Sequence, residues 1–119
     1  LGRPEAALAA AEEAVGLYRQ LAAARPEAFT ADLATSLGAY GRILRASGRQ
    51  VDARAAFREG VERLMLRFLA LPQAHAGLMG TLAQDYLKAC EALDDQPDGR
   101  LLQPVVEMFE RLNAGGGAA

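Results

Sequence analysis

The side chains best suited to catalysis in this sequence are its only cysteine and its only histidine, Cys90 and His75. Nucleophilic catalysis requires the thiol to lie within hydrogen-bonding distance of a base. Both residues fall on one predicted helix, where a separation of about four turns places them about 20 Å apart. A single cysteine also excludes an internal disulfide and a zinc site built from several cysteines. We therefore expect no catalytic residue, no bound metal, no cofactor and no enzymatic activity.

Acidic and aromatic residues suggest two further kinds of site, and neither pattern is complete. Asp94, Asp95 and Asp98 resemble part of a calcium loop, but the rest of the ligand series and its terminal glutamate are missing. Tyr40 and Tyr86 are aromatic residues of the kind that can stack against a ligand. They occupy helix-packing positions, however, so we expect their side chains to lie in the core. The thiol of the cysteine shares an apolar stripe with Tyr86, so we expect it to be buried and unreactive.

Three basic residues, Arg42, Arg45 and Lys88, are candidates for charge-assisted hydrogen bonds to an acidic segment or to a C-terminal carboxylate. The alternative is that they are ordinary solvated charges, because twelve of the thirteen basic residues are arginines spread along the chain. The sequence leaves both interpretations open. Thirteen basic and fifteen acidic residues give a formal net charge of −2, which provides no general attraction to nucleic acid or to an anionic membrane.

The elements that must position these residues are predicted to be helices. The chain has 119 residues, of which 51% are hydrophobic, and much of that share is alanine, the best helix former. Apolar residues recur at three- and four-residue steps in four long segments, and a shorter fifth helix follows a strong turn signal at 94–99. The predicted helices are Pro4–Ala24, Thr30–Ala46, Val51–Ala70, Ala74–Leu93 and a fifth that begins near Gln103. We expect a soluble, cytoplasmic chain without a membrane span and with a disordered tail over 114–119.

Comparison of the chain with itself shows an internal repeat with a constant offset. Gly2-Arg3 recurs as Gly48-Arg49, which sets the offset at 46 residues. Further pairs at this offset are Ala7 and Ala53, Glu13 and Glu59, Val15 and Val61, Pro26 and Pro72, Thr35 and Thr81, and Tyr40 and Tyr86. Chance explains some of the alanine matches, but not the paired Gly-Arg, Pro, Thr and Tyr positions. The repeating unit is predicted to be helix, turn, helix, turn.

The middle unit carries a spaced set of small and large residues. These are Leu37, Tyr40-Gly41 and Leu44 on its first helix, the Ser47-Gly48-Arg49 turn, and Ala53, Phe57 and Gly60 on its second helix. The pattern resembles that of the tetratricopeptide repeat family, in a variant with helices longer than those of the usual repeat of about 34 residues. Small residues in the pattern are expected where two helices approach closely. The resemblance implies an all-α fold in which antiparallel helix-turn-helix repeats stack as an α-solenoid fragment, with four long helices and a short C-terminal capping helix.

In that family the first helix of each repeat lines a groove that receives a peptide or a helix of a partner. The matching groove residues are Thr35, Ala39, Arg42 and Arg45 in the complete unit, and Thr81, Gln84, Asp85 and Lys88 in the next unit. The carboxylate-clamp members of the family use asparagine in this groove. Because Ala39 and Asp85 occupy the relevant places here, we do not expect a clamp for chaperone tails.

The repeat also predicts how the chain is organised. A repeat domain over 1–113 divides into the second helix of an incomplete repeat (1–25), a complete repeat (26–71) and a terminal capping repeat (72–113). The incomplete first unit suggests that the protein continues upstream of Leu1. In isolation, two copies are expected to form a homodimer through a face of the first helix. That predicted self-association face consists of Ala7, Ala11, Ala14 and Tyr18.

Taken together, these features predict a protein–protein interaction or self-assembly module, the C-terminal part of a larger protein, that binds a protein or peptide partner of acidic character. No nucleic acid or membrane partner is expected. The alternative is that the chain is the sensor or regulatory arm of a bacterial signalling or defence protein whose effector domain lies upstream. The alanine and arginine bias resembles that of GC-rich bacterial genomes.

Overall fold

A computed structural model describes residues 3–117 of the chain, and about 90% of these residues are helical. The five helices are α1 (Arg3–Ala24), α2 (Pro26–Ala46), α3 (Gln50–Ala70), α4 (Pro72–Ala92) and α5 (Gly99–Gly117). Consecutive helices pack against each other, and α2 also contacts α4 while α3 contacts α5. The result is an all-α helical repeat stack that measures 53 × 37 × 24 Å. No helix in this part of the chain is both long and apolar enough to cross a membrane.

Two helices begin earlier than the sequence predicts, and both begin at a proline. Helix α2 starts at Pro26, so the expected start and cap at Thr30 are wrong, and α4 starts at Pro72. The N–H groups of the first helical turn have no partner within the helix, so a residue without an N–H is tolerated there, and the fixed φ of proline suits the helix. Neither preceding residue, Arg25 or Leu71, makes a side-chain cap hydrogen bond.

The fifth helix also begins earlier than predicted, at Gly99 instead of near Gln103. Its cap is Asp98, whose Oδ1 accepts the backbone N–H of Arg100 at 3.0 Å and that of Leu101 at 3.2 Å. Because the carboxylate satisfies two N–H groups of the first turn, the helix can start directly after the turn signal. With 19 residues, α5 is not the short helix that was expected.

The C-terminal end of α5 corrects the predicted tail boundary. The helix extends to Gly117 and therefore overlaps the segment 114–119 that was assigned to a disordered tail. Once a helix has formed, each added residue gains one backbone hydrogen bond without any side-chain burial. Ala114 and Gly115 are accordingly helical and still exposed. The remainder of the predicted tail, 118–119, lies outside the described residues.

Two glycines lie where neighbouring helices approach closely, as the sequence predicts. A Cβ atom at Gly41 of α2 would lie 2.5 Å from Cε1 of Phe57 on α3. A Cβ atom at Gly60 of α3 would lie 2.8 Å from Cδ2 of Leu82 on α4. Both large side chains are fully buried, so the core between the helices depends on the absence of side chains at the two glycines.

The last helix packs differently from the others. Val105 and Met108 of α5 are buried against a core cluster that includes Phe68 of α3 and Met79 of α4. Contact between α4 and α5 is much less extensive than that between α2 and α3. Leu87 stands at the position of α4 that corresponds to Gly41, and its side chain is exposed. The sequence predicts that a leucine at this position keeps the following helix at a distance, and the limited contact between α4 and α5 agrees with this.

Candidate functional site

The groove residues predicted from the sequence lie on α2 and α4, which contact each other directly. We call the surface formed by these eight residues the α2–α4 face. Its exposed members are Thr35, Arg42, Thr81, Gln84 and Lys88, its half-buried members are Ala39 and Arg45, and its buried member is Asp85. The hydroxyl groups of Thr35 and Thr81 donate to the carbonyl oxygens of Ala31 and Gly77 in their own helices. The hydrogen-bond donors that the face offers to a ligand are therefore mainly those of its basic and amide side chains.

Asp85 lies at the centre of this face and binds two arginines. Its Oδ1 accepts a hydrogen bond from Nη1 of Arg45 at 3.0 Å, and its Oδ2 contacts Nη1 of Arg42 at 3.4 Å. The side chain of Asp85 is only 9% exposed, whereas those of Arg42 and Arg45 are 47% and 33% exposed. A charged group in such a buried position requires a charged, hydrogen-bonded partner. We refer to these three residues as the Asp85 cluster.

Arg45 of the Asp85 cluster is held from a second direction as well. The guanidinium of Arg45 lies over the ring of Phe57, with 5.4 Å between its Cζ atom and the ring centroid. A cation above an aromatic face is attracted by the negative potential of the ring. Because Phe57 belongs to α3 and Asp85 to α4, Arg45 of α2 connects three helices.

The reach of the arginines depends on how closely α2 and α4 approach. A Cβ atom at Gly38 of α2 would lie 3.2 Å from Cδ2 of Leu82, which occupies the slot left by the missing side chain. Gly38 lies one helical turn before Arg42, and Leu82 lies one turn before Asp85. The glycine therefore brings α4 near enough for the ion pairs of the next turn to form.

The structure changes the interpretation of these basic residues. From the sequence, Arg42 and Arg45 were either partner-binding groups or solvated charges. Instead, both pair with a carboxylate of the neighbouring helix while keeping part of their guanidinium surface exposed. The sequence included Asp85 only as a groove residue and did not identify it as the group that positions the arginines. A search for oppositely charged residues on the first helices of successive repeats would have found this pairing.

The turn between α4 and α5 is tied to α3 by two further ion pairs. Arg54 pairs with Asp95, and Nη2 of Arg58 lies 2.6 Å from Oδ2 of Asp98. The hydroxyl oxygen of Tyr86 accepts the backbone N–H of Asp98 at 2.9 Å. These carboxylates therefore bind arginines and the protein backbone. Within residues 3–117, no group of three or more His, Cys, Asp or Glu side chains is placed to hold a metal ion.

Hydrogen bonding also changes the acidity of Asp98. The hydrogen bond from Arg58 is the main cause that holds the pKa of this carboxyl below its ordinary value of 3.8. The backbone N–H of Leu101 lowers the pKa further, because it too stabilises the ionised form. The same ion pair raises the pKa of Arg58. Asp98 is thus a structural carboxylate that caps α5 and attaches the turn to α3.

The remaining candidates for chemistry lie in separate places. Cys90 and Tyr86 are both buried in one core cluster, as the sequence predicts. Tyr40 is half-buried, and its hydroxyl group donates to Oε1 of Glu12 at 3.3 Å. Burial is the main cause that raises the pKa of Tyr40 above 10.0, and the carboxylate of Glu12 adds to the effect. His75 is half-buried near the start of α4.

The predicted self-association face on α1 is covered only in part. Ala7 is exposed, while Ala11, Ala14 and Tyr18 are half-buried. The ring of Tyr18 packs toward α2, with its centroid 6.5 Å from that of Phe29. The large apolar side chains of α1 that remain exposed are Leu17 and Leu21, which the sequence-based prediction missed. A projection at 100° per residue would have found them, because they fall on the same side of the helix as Ala14.

These features define the chain as an all-α helical repeat stack in which two neighbouring helices present a face with paired arginines. No protein-family model matches the chain, and no curated protein or solved structure matches it. The function therefore has to be argued from the side chains themselves.

Proposed function

We propose that this chain is a protein-interaction module of tetratricopeptide-like repeats, and that its α2–α4 face binds an acidic segment of a partner protein. The repeat assignment is supported by the equivalent starts of α2 and α4 at Pro26 and Pro72. It is also supported by Gly41 and Gly60, whose missing side chains make room for large residues of the next helix.

The observation that carries the proposal is that two guanidinium groups share one carboxylate. Arg42 and Arg45 together carry two positive charges, of which Asp85 balances one. Each guanidinium has five N–H donors, and the contact to Asp85 involves Nη1 of each arginine. Since the carboxylate is buried and the arginines are partly exposed, the excess charge and the remaining donors face outward. An acidic ligand would meet arginines that are already oriented, which reduces the entropy lost on binding.

Lys88 extends this positive surface along α4. It is exposed and lies one helical turn beyond Asp85, about 5 Å further along the helix axis. In an extended peptide, two side chains that are two residues apart are separated by about 7 Å. A ligand with two acidic residues in that spacing, or with one acidic residue close to its C-terminal carboxylate, would contact the arginines and Lys88 together.

Binding of labelled peptides tests the proposal. We expect fluorescence anisotropy to show that peptides with a Glu-X-Glu core bind more tightly than their Gln-X-Gln counterparts, and that salt weakens the binding. Lys88→Glu should weaken binding at least about tenfold, because it removes one charge-assisted hydrogen bond and adds a carboxylate that repels the acidic ligand. Arg111→Glu, a reversal of charge at an exposed site on α5, serves as the matched control. The proposal is wrong if acidic and amide peptides bind equally, or if both variants weaken binding to the same degree.

A further inference from the structure

The positive charge of the α2–α4 face is concentrated in one place. Arg42, Arg45 and Lys88 carry three positive charges, and Asp85 carries one negative charge, so this part of the face has an excess of two positive charges. A ligand carboxylate brings one negative charge, whereas a phosphate monoester brings about 1.5 to 2 at pH 7. One phosphate group therefore balances the excess charge, and one carboxylate does not.

The arrangement of the hydrogen-bond donors also suits a phosphate group. Nη1 of Arg42 and Nη1 of Arg45 bind the two oxygens of the same carboxylate, so the two guanidinium groups converge on one point. Their Nε and Nη2 groups take no part in these contacts. A phosphate monoester has three terminal oxygens, so it can accept from both guanidinium groups and still offer an oxygen to Lys88. A carboxylate has two oxygens in one plane and offers no third oxygen toward the lysine.

The buried carboxylate of Asp85 leaves the outer side of the arginines open. Asp85 lies beneath the two guanidinium groups, whose side chains keep 47% and 33% of their surface exposed for Arg42 and Arg45. Arg45 is also held on the ring of Phe57. A second anion can therefore approach from solvent while the Asp85 cluster stays intact, and the arginines need not be reoriented to bind it.

The positive surface is also small. Glu91 is exposed and lies one helical turn beyond Lys88 on α4, so a carboxylate ends the positive surface on that side. A long run of acidic residues would meet Glu91 and be repelled by it. The α2–α4 face thus suits one concentrated double negative charge better than charge that is spread along a segment.

We propose that the acidic group bound by the α2–α4 face is the phosphate of a phosphoserine or phosphothreonine residue in the partner protein. This inference rests on the proposed function and names the chemical group that the same face takes. Arg42 and Arg45 each donate a charge-assisted hydrogen bond to the phosphate, and Lys88 binds its third oxygen. Binding of the partner then depends on whether its serine or threonine is phosphorylated.

Three labelled peptides that differ at one position test the inference. That position is serine, glutamate or phosphoserine, the flanking residues are uncharged, and the C-termini are amidated so that no other carboxylate competes. We expect fluorescence anisotropy to show that the phosphoserine peptide binds at least about tenfold more tightly than the glutamate peptide, the effect of one added charge-assisted hydrogen bond. The serine peptide should bind most weakly.

The same series separates this inference from the proposed function. If the phosphoserine and glutamate peptides bind equally, and both more tightly than the serine peptide, the face binds acidic residues and the preference for phosphate is wrong. If all three peptides bind equally, the proposed function is wrong as well.

The variant Lys88→Gln tests the contact to the third oxygen. It should weaken binding of the phosphoserine peptide about tenfold and that of the glutamate peptide by less. Arg111→Gln, which removes a charge at an exposed site on α5, is the matched control and should change neither affinity. Both changed side chains are exposed, so circular dichroism should show that both variants are folded. An equal loss for the two peptides in Lys88→Gln would contradict the proposed phosphate contact.

The charge of the phosphate provides an independent test. A phosphate monoester gains its second negative charge near pH 6, so the affinity for the phosphoserine peptide should fall severalfold from about pH 7.5 to about pH 5.5. The glutamate peptide reports any titration of the protein itself over the same range. Inorganic phosphate should displace the labelled phosphopeptide only at much higher concentration than the unlabelled phosphopeptide does. Equal pH dependence of the two peptides would overturn the inference, and equal displacement by inorganic phosphate would show that the ligand is not a protein segment.

Discussion

Replacing Gly41 by alanine tests how strongly the close contact between α2 and α3 restricts the sequence. A Cβ atom at this position would lie 2.5 Å from Cε1 of Phe57 and 2.8 Å from two other ring atoms. The ring would have to retreat by about 1 Å to reach an ordinary contact. Phe57 is fully buried, and the guanidinium of Arg45 packs on its ring, so the ring has little room to move.

Two opposing effects set the expected change in stability. Alanine is favoured over glycine within a helix by about 1 kcal/mol. Overpacking of a core typically costs 1–3 kcal/mol, and we expect a cost at or above the upper end because the obstacle is a rigid ring. The free energy of unfolding should therefore fall by about 2 kcal/mol. For a chain of this size, that corresponds to a decrease in Tm of about 8 °C.

Thermal and urea unfolding followed by circular dichroism measures this change. Gly16→Ala is the matched control, because Gly16 also lies within a helix but an added Cβ atom would meet nothing within 4 Å. There only the helix preference acts, and stability should rise by up to about 1 kcal/mol. If Gly41→Ala is as stabilising as Gly16→Ala, the contact with Phe57 does not limit the residue at this position, and the reasoning is refuted.

Two other predictions concern charged side chains. Asp85→Ala should lower the free energy of unfolding by about 2 kcal/mol, because it removes two charge-assisted contacts and leaves Arg42 and Arg45 beside each other. Urea unfolding measures this loss, and added salt should reduce it. An unchanged free energy of unfolding would contradict the prediction. The pKa of Asp98 is lowered by Arg58, so the stability that this carboxylate contributes is fully present above pH 3.8 and is lost as the pH falls through its lower folded value. The variant Asp98→Asn cannot titrate at this position, so its urea midpoint should fall less steeply than that of the wild-type chain as the pH is lowered. If the urea midpoints of the two proteins fall equally with decreasing pH, the ion pair does not have this role.

The parts of the structure that depend on neighbouring residues can be predicted from the sequence. Apolar periodicity predicts all five helices, because one buried stripe per helix is a local property of the chain. The internal repeat predicts that Gly41 lies where α2 and α3 meet, since that contact joins two helices separated by a single short turn. The tyrosine at position 86 is likewise correctly placed in the core.

The parts that depend on competing local signals or on distant contacts could not be predicted. Pro104 suggests a first helical turn, yet the carboxylate of Asp98 caps α5 earlier, and the proline lies inside the helix. The Asp85 cluster forms only because α2 and α4 lie close together. That distance is set by the fit of Leu82 against Gly38, and no local sequence pattern contains it.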